Sequence, residues 1–277
     1  MRVAITTACT ILFLVAAFPL SAAPVKELWS VWAQNDPGST ATIDHAAWDA
    51  FLKKYVQDDP NDPLDLNRVD YAGVTDSDRQ TLATYIGTLA ATTVTSLNRG
   101  EQQAYWINLY NALTVQVILD HMPVETIQDI DISPGLFSSG PWGKKLVTIE
   151  GEPVSLDDIE HRILRPIWND PRIHYAVNCA SVGCPDLIAR GYTATDMDAT
   201  LTTNAIAYVN SPRGVTINDG EITVSKIYDW FDEDFGGSEK GVIAHLLEYA
   251  TGERKAALEK ADGIDDYAYD WSLNGVE

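Results

Sequence analysis

Two short segments of the chain carry residue types suited to nucleophilic catalysis. Residues 178–185 read Asn-Cys-Ala-Ser-Val-Gly-Cys-Pro, so Cys179 lies in a run of small residues in which Gly183 permits unusual backbone angles. Residues 157–161 read Asp-Asp-Ile-Glu-His and end at His161. A thiolate is a strong nucleophile, and histidine is the usual base near neutral pH. We therefore expect Cys179 to attack a carbonyl carbon and His161 to remove the thiol proton.

Two acidic residues accompany His161 on a helix predicted for residues 155–164. Asp157 lies one helical turn before His161, where its carboxylate can orient the imidazole or raise its basicity. Glu160 points about 100° away from His161 around the helix and is expected to serve another partner. Asp157 and Glu160 are therefore candidate catalytic groups, with a purely structural role for the histidine as the alternative.

Cys179 and Cys184 also allow two interpretations without a catalytic thiol. They are the cysteines that remain after residues 1–22, and an oxidising compartment would allow them to pair. Together with His174 they supply three possible zinc ligands, but the local sequence lacks the fourth ligand of a structural site. The chain also has no Gly-rich phosphate loop and no His-Glu-x-x-His motif. We expect no metal ion and no cofactor.

A polar face on an otherwise apolar helix is a third candidate feature. Residues 99–121 are apolar on most sides of a helix, which is typical of a helix buried in a core. Helical spacing places four polar residues on one face: Glu101, Tyr105, Asn108 and Asn111. A buried amide without a partner is costly, so these residues either hold backbone groups of loops or line a cleft. They are candidate substrate-binding residues.

The composition indicates an acidic, well-packed protein. The formal net charge of -21 repels phosphate groups, so neither nucleic acid nor anionic lipid is an expected partner. A hydrophobic content of 45% argues for a packed globule and against disorder. The expected partner is a small-molecule or peptide substrate, and the oligomeric state is left open.

Residues 1–22 are predicted to be a cleavable signal peptide. Met1 and Arg2 give a short basic region, residues 3–20 are largely apolar, and small residues follow. A membrane anchor is the alternative, but the apolar run is barely long enough to span a bilayer. No later run is long enough, so we expect an exported protein, periplasmic or extracellular, without stable membrane insertion.

The predicted elements indicate an α+β fold: a mostly helical single domain with a small antiparallel sheet of short strands. Helical spacing is clearest over residues 76–89, 99–121, 155–164, 195–210 and 238–251. In the third of these, Ser155 and Asp158 fit a capping box and Pro166 is expected to end the helix. Asp234, before Phe-Gly-Gly, is expected to cap the next helix or to reach a cleft.

Strands are predicted to be few and short. Asn218-Asp219-Gly220 marks a hairpin over residues 215–224, and further extended pieces are expected at 146–149, 173–178 and 264–274. Residues 23–66 are predicted to be a helical segment packed on a core formed by residues 67–277.

Several motifs in order resemble the family known as domain of unknown function 547. They are Ala-Tyr-Trp-Ile-Asn-Leu-Tyr-Asn-Ala-Leu at 104–113, Ile-Glu-His-Arg-Ile-Leu-Arg at 159–165, Ala-Val-Asn-Cys-Ala-Ser-Val-Gly-Cys-Pro at 176–185, Ser-Lys-Ile-Tyr-Asp-Trp at 225–230, Asp-Phe at 234–235 and Tyr-Asp-Trp-Ser-Leu-Asn at 269–274. The resemblance spans residues 67–274, and its specificity lies in the ordered set rather than in any one motif.

The resemblance implies a relative but no reaction, because the family is named for its unknown function. Its members include exported bacterial proteins and parts of larger plant proteins. Plant members often carry serine where this chain has Cys184, which implies that Cys179 is the better nucleophile candidate. The positions that the match carries over are Cys179, His161 and Glu160.

The leading expectation is a thiol-dependent hydrolase or acyl transferase that acts on a peptide-like or thiol-containing substrate. In it, Asn108 or Asn111 would position the substrate or the oxyanion. The alternative is a non-catalytic extracytoplasmic binding domain with a Cys179–Cys184 disulfide.

Overall fold

The computed structural model describes residues 24–135 and 140–276, so the predicted signal peptide lies outside the described residues. Within these ranges there are eight α-helices: α1 Ala46–Tyr55, α2 Asp76–Ala90, α3 Arg99–His121, α4 Arg165–Trp168, α5 Met197–Asn210, α6 Ile227–Trp230, α7 Glu239–Tyr249 and α8 Gly252–Leu258. They also contain seven short strands: β1 Val56–Gln57, β2 Arg68–Val69, β3 Val147–Ile149, β4 Glu152–Val154, β5 Val215–Asn218, β6 Glu221–Ser225 and β7 Asp266–Ala268. The mostly helical α+β fold is confirmed.

Helix α3 forms the centre of the larger hydrophobic core. The Asn98 side chain caps its first turn by accepting a hydrogen bond from the Glu101 N–H. Every residue from Glu101 to Val115 is buried, as expected of a helix that protein surrounds on all sides. Its bounds are those predicted from the sequence.

The helix predicted for residues 155–164 forms, but its hydrogen bonds are not those of an α-helix. Its capping box is present, because the Asp158 N–H donates to Ser155 Oγ and the Ser155 N–H donates to Asp158 Oδ2, at 3.2 and 2.9 Å. Residues Asp158–Leu164 then form a π-helix, called here the π segment. It continues directly into α4, so the expectation that Pro166 ends the helix is wrong.

Because of Pro166, two carbonyl groups of the π segment have no hydrogen-bond donor within the helix. Proline has no N–H, so Pro166 cannot pair with the carbonyl of Arg162 four residues back or of His161 five residues back. The N-terminal segment supplies the missing donors. The Glu27 N–H donates to His161 O at 3.1 Å, and the Trp29 N–H donates to Arg162 O at 2.9 Å. The chain just after the predicted cleavage site is therefore paired with the helix that carries His161.

The strands form three small sheets in the order β1-β2, β3-β4 and β5-β6-β7. A single small antiparallel sheet was predicted; the first two sheets and the β5–β6 hairpin are antiparallel, but the strands are divided among three sheets and β7 pairs with β6 in parallel. The predicted hairpin turn is confirmed. Asp219 and Gly220 have φ of 52° and 92°, a conformation that suits this turn and explains the Asn-Asp-Gly sequence.

The strand predicted for residues 173–178 is wrong. Residues Pro171–Tyr175 form a 3₁₀ helix instead. Its start is set by Asp170, whose side chain accepts a hydrogen bond from the Arg172 N–H at 2.9 Å, and by a proline at the first helical position. Apolar residues at positions 173 and 175 resembled a strand, but this cap selects a turn.

The C-terminal tail is extended, as predicted, and lies antiparallel to the cysteine loop, residues 178–185. The N–H groups of Val182 and Gly183 each donate at 2.8 Å, to the carbonyls of Ser272 and Asp270. A Cβ on Gly183 would lie 2.8 Å from the Asp270 nitrogen, so only glycine allows this close approach. The tail therefore fixes one side of the loop that carries Cys179.

The buried side chains form two neighbouring clusters. The larger surrounds α3, and the smaller packs Tyr208, Tyr228 and Phe235 between α5, α6 and α7. Within residues 24–135 and 140–276, no helix has the length and apolarity needed to cross a membrane.

Candidate functional site

The cysteine loop is held in a conformation that non-glycine residues rarely adopt. Ala180, directly after Cys179, has φ of 59°. The Asn178 side chain stabilises this turn, because its Oδ1 accepts from the Ala180 N–H at 2.9 Å and its Nδ2 donates to Pro185 O at 2.7 Å. Asn111 of α3 anchors the approach to the turn through the Asn178 N–H at 2.8 Å. The thiol of Cys179 is thus presented on a constrained turn.

The Cys179 sulfur lies among three hydrogen-bonding groups. Its distances are 2.9 Å to Cys184 Sγ, 3.0 Å to the Tyr269 hydroxyl and 3.2 Å to Ser181 Oγ. Hydrogen bonding with Cys184, and then with Ser181 and Tyr269, lowers the pKa of the Cys179 thiol, although burial opposes the shift. Burial raises the pKa of Cys184 well above its usual range. Cys179 is therefore the thiol that ionises first.

The Cys179–Cys184 disulfide of the alternative hypothesis is not formed in this structure. Both cysteines are free, and their sulfur atoms at 2.9 Å are farther apart than the roughly 2.05 Å of a covalent bond. Cys179 is partly exposed, whereas Cys184 is buried.

His161 and Asp157 are neighbours, as the helical spacing predicted. His161 Nε2 lies 3.8 Å from Asp157 Oδ1. Its other ring nitrogen, Nδ1, lies 3.1 Å from the Arg165 guanidinium, which has only donors, so Nδ1 must accept. Burial lowers the pKa of His161 to about 4 and raises the pKa of Asp157 to about 6. Near neutral pH the imidazole is uncharged, and the lone pair of its Nδ1 accepts the hydrogen bond from Arg165.

The charged partner of Glu160 is His174. His174 Nδ1 lies 3.5 Å from Glu160 Oε1, and its Nε2 lies 2.9 Å from Asp234 Oδ2. Burial opposes a charge on His174, but the hydrogen bonds that its ring donates to the two carboxylates outweigh burial and raise its pKa. Glu160 also accepts a hydrogen bond from the Tyr110 hydroxyl at 3.1 Å. Burial raises the pKa of Glu160, but the basic groups around it bring the value to about 2.

Arg165 joins these groups into one network. Its Nε lies 2.5 Å from Asp234 Oδ2, and its Nη2 lies 2.7 Å from Glu233 Oε1. Its Nη1 contacts His161 Nδ1. Lys26 of the N-terminal segment reaches the same Asp234 carboxylate at 2.8 Å. The sequence predicted that Asp234 caps the next helix or reaches a cleft, and it did not indicate the contact with Arg165. It treated His174 only as a possible metal ligand, and its burial between two carboxylates was missed.

A wall of aromatic rings connects the two halves of the site. Phe231 stacks on His174 and His161, with ring centroids 4.3 and 5.7 Å apart. The adjacent Trp230 packs on Tyr269 at 4.9 Å, and Tyr269 contacts the Cys179 sulfur.

Two further tryptophans, Trp271 and Trp142, extend this series of aromatic contacts. Trp271 packs on Tyr269 and on Trp142, with centroids 4.6 and 5.7 Å away. The Trp142 carbonyl accepts a hydrogen bond from the Asp157 N–H at 3.0 Å. Cys179 and Asp157 are therefore linked through a chain of contacts that runs over Tyr269, Trp271 and Trp142.

The described hydrogen bonds include none between Cys179 and a histidine. Glu160 is the carboxylate that acts on the sulfur through space, where its charge raises the Cys179 pKa against the larger effect of the hydrogen bonds. Among the described residues the thiol and His161 make no direct hydrogen bond, and aromatic contacts through Tyr269, Trp271 and Trp142 link Cys179 to the acid–base cluster.

The polar residues of α3 all hold backbone groups. Glu101 accepts from the Ile43 N–H at 3.2 Å, and the Tyr105 hydroxyl donates to Leu89 O at 3.0 Å. Asn108 pairs with both backbone groups of Tyr192 at 2.9 Å. Asn111 holds Ala176 O and the Asn178 N–H, so it alone of the four contacts the cysteine loop. A substrate contact from this face remains a prediction.

For metal binding, the described part of the chain offers no cluster of three or more suitable His, Cys, Asp or Glu side chains. His174 in particular is engaged by Glu160 and Asp234 rather than by the cysteines.

Residues 94–209 match the family model described as protein of unknown function, DUF547. Over this region the chain is similar to the DUF547 family. The matched region contains α3, the π segment and the cysteine loop, whereas Asp234 and Tyr269 lie beyond it. No curated protein and no solved structure matches the chain.

Proposed function

We propose that this protein is a thiol-dependent hydrolase or acyl transferase with Cys179 as its nucleophile. The observation that carries the proposal is the environment of the sulfur: a constrained turn, two hydroxyl groups within 3.2 Å and a second thiol at 2.9 Å. A thiolate needs hydrogen-bond donors to be stable in a buried place, and Ser181, Tyr269 and Cys184 can each donate one proton. These donors lower the need for a strong base.

In the proposed reaction the Cys179 thiolate attacks the carbonyl carbon of a peptide-like or thiol-containing substrate. The leaving group departs with a proton, and water or an acceptor then attacks the thioester. The pair Asp157 and His161 is the proposed proton exchanger, because the Asp157 carboxyl has a pKa of about 6 and lies 3.8 Å from His161 Nε2. Arg165 must release Nδ1 before His161 itself can accept a proton.

The aromatic wall supports a substrate with an apolar or planar group next to the carbonyl. Trp230, Tyr269 and Trp271 are each only partly buried, and the two tryptophan rings lie 4.9 and 4.6 Å from the ring of Tyr269, whose hydroxyl contacts the Cys179 sulfur. Such rings favour apolar and planar partners.

The test uses an electrophilic acyl probe on the folded protein. Cys179→Ala should abolish labelling, while Cys184→Ala, which removes one hydrogen-bond partner of the thiolate, should slow labelling without abolishing it. Equal labelling of Cys179→Ala at an unchanged melting temperature would refute the proposal. Tyr269→Phe removes one donor to the thiolate and should slow labelling most at mildly acidic pH, with little change at alkaline pH where the thiol is ionised anyway.

A non-catalytic extracytoplasmic binding domain is the second candidate. It is favoured by one observation: the lone pair of His161 is occupied by Arg165, so no free base stands next to the thiol. If the native protein hydrolyses or transfers an acyl substrate and Cys179→Ala does not, the protein is an enzyme. A binding domain would leave its ligand unchanged.

Export to the periplasm or the cell exterior is also part of the proposal, with a small molecule or peptide as partner and no nucleic acid. It rests on the basic, apolar and small residues of positions 1–22 and on the net charge of -21. Intact mass measurement of the protein from extracytoplasmic fractions should show a chain that begins near Ala23. A full-length chain found only in the cytoplasm would refute export.

A further inference from the structure

The two thiols of the cysteine loop differ in a way that the acyl chemistry does not require. Cys179 is partly exposed and Cys184 is buried, yet their sulfur atoms lie only 2.9 Å apart. A disulfide needs a separation of roughly 2.05 Å, so a movement of about 0.9 Å would join them. Both side chains belong to the cysteine loop, in which the Cys184 N–H donates to Ser181 O at 3.1 Å.

The surroundings of the two sulfurs also assign them different roles. The hydroxyls of Ser181 and Tyr269 point to Cys179, which stabilises its ionised form. Cys184 is enclosed, and the Cys179 N–H donates to its sulfur at 3.0 Å. An accessible thiol that ionises readily next to a shielded one is the arrangement in which the first attacks a disulfide and the second resolves the product.

We propose that Cys179 and Cys184 form a reversible redox couple that exchanges with small-molecule disulfides such as oxidised glutathione. The Cys179 thiolate attacks one sulfur of the disulfide, forms a mixed disulfide and expels one thiolate. Cys184 then gives its proton to solvent and attacks the Cys179 sulfur, which expels the second thiolate. One external disulfide is reduced to two thiols while two protein thiols become one disulfide, so electrons and protons balance.

The exchange uses neither His161 nor Asp157 and stands apart from the proposed acyl chemistry. The two are linked only by Cys179, because a Cys179–Cys184 disulfide leaves no nucleophile for a carbonyl group. An exported protein would meet such disulfides outside the cytoplasm.

The experiment treats the folded, full mature protein with oxidised glutathione and measures intact mass without reductant. The native sequence should lose two hydrogens and carry no lasting adduct. Cys184→Ala should stop at one glutathione bound to Cys179, and Cys179→Ala should bind none. A lasting adduct on the native sequence, or no change in its mass, would overturn the proposal.

Two measurements keep the result interpretable. Melting curves, together with Cys184→Ser as a second variant, show that loss of the resolving thiol has not unfolded the loop. The acyl probe is applied in parallel to reduced and oxidised protein. Disulfide formation without any acyl labelling would refute the proposed enzyme and leave the redox couple standing, while the reverse pattern would refute only the couple.

Discussion

Replacement of Asp234 by asparagine should destabilise the protein more than almost any other single polar change. The carboxylate is 7% exposed and contacts three cationic groups, at 2.5 Å to Arg165, 2.9 Å to His174 and 2.8 Å to Lys26. Asparagine keeps the size of the side chain but removes the charge, which leaves the buried guanidinium with only the exposed Glu233 and the imidazolium with only Glu160. Breaking one partner out of a buried ion pair costs about 3–5 kcal/mol.

The magnitude follows from the size of the chain. A domain of this length loses about 2–4 °C of melting temperature per kcal/mol, so Asp234→Asn should lower the melting temperature by about 6–20 °C. Differential scanning calorimetry measures the shift. Asp232→Asn, which changes an exposed carboxylate in the same 3₁₀ turn, is the matched control and should shift it by less than 2 °C, or about 0.5 kcal/mol.

The pH dependence adds a second signature. Asp234 raises the pKa of His174, so their interaction stabilises the fold at acidic pH and is lost as the pH rises through the raised His174 pKa. The effect of Asp234→Asn should therefore be larger at pH 6 than at pH 9. A melting temperature equal to that of Asp232→Asn, or a larger effect at pH 9, would refute the role given to this network.

Three further perturbations test other parts of the site. Asn111→Ala leaves two buried backbone groups beside the cysteine loop unpaired, so the free energy of unfolding in urea should fall by about 2–4 kcal/mol; the exposed Asn61→Ala should have almost no effect. His161 has a folded pKa of about 4, below its unfolded value, so it costs the native state up to about 3 kcal/mol as the pH falls from 6.5 to 4. Because His161→Gln removes this cost, the variant should lose less stability than the native protein between pH 7 and pH 4.5. The raised pKa of Asp157 acts in the opposite direction, since it favours the folded state as the pH falls. An unchanged pH profile would contradict a buried neutral imidazole. Lys26→Met should cost about 1 kcal/mol in thermal melting, well below Asp234→Asn, because the lysine is partly solvated; an equal cost would mean that the N-terminal segment, rather than Arg165, neutralises Asp234.

Local patterns predicted those parts of the fold that local interactions stabilise. Helix α3 combines an N-cap with a long apolar stretch, and both its bounds were correct because neither signal depends on the rest of the chain. The β5–β6 hairpin and the capping box at Ser155 follow the same logic, since each is determined by residues within a few positions of one another.

Two elements near the site were not predicted from local patterns: the π segment and the 3₁₀ helix before the cysteine loop. The apolar spacing of residues 158–164 is compatible with either helix type, and the choice depends on donors that Glu27 and Trp29 bring from more than 130 positions away. At residues 171–175 a local cap overrode a strand-like pattern.

The sequence by itself determined the candidates for chemistry: Cys179 on a turn of small residues, and His161 with Asp157 one turn before it. Tertiary structure decided their state. Tyr269 reaches the Cys179 sulfur from 90 positions away, and Asp234 reaches His174 from 60 positions away. A thiol or imidazole acquires its pKa and its free lone pairs from burial and from such distant partners, so residue type and spacing name the reactive groups, and only their packing sets which one holds the proton.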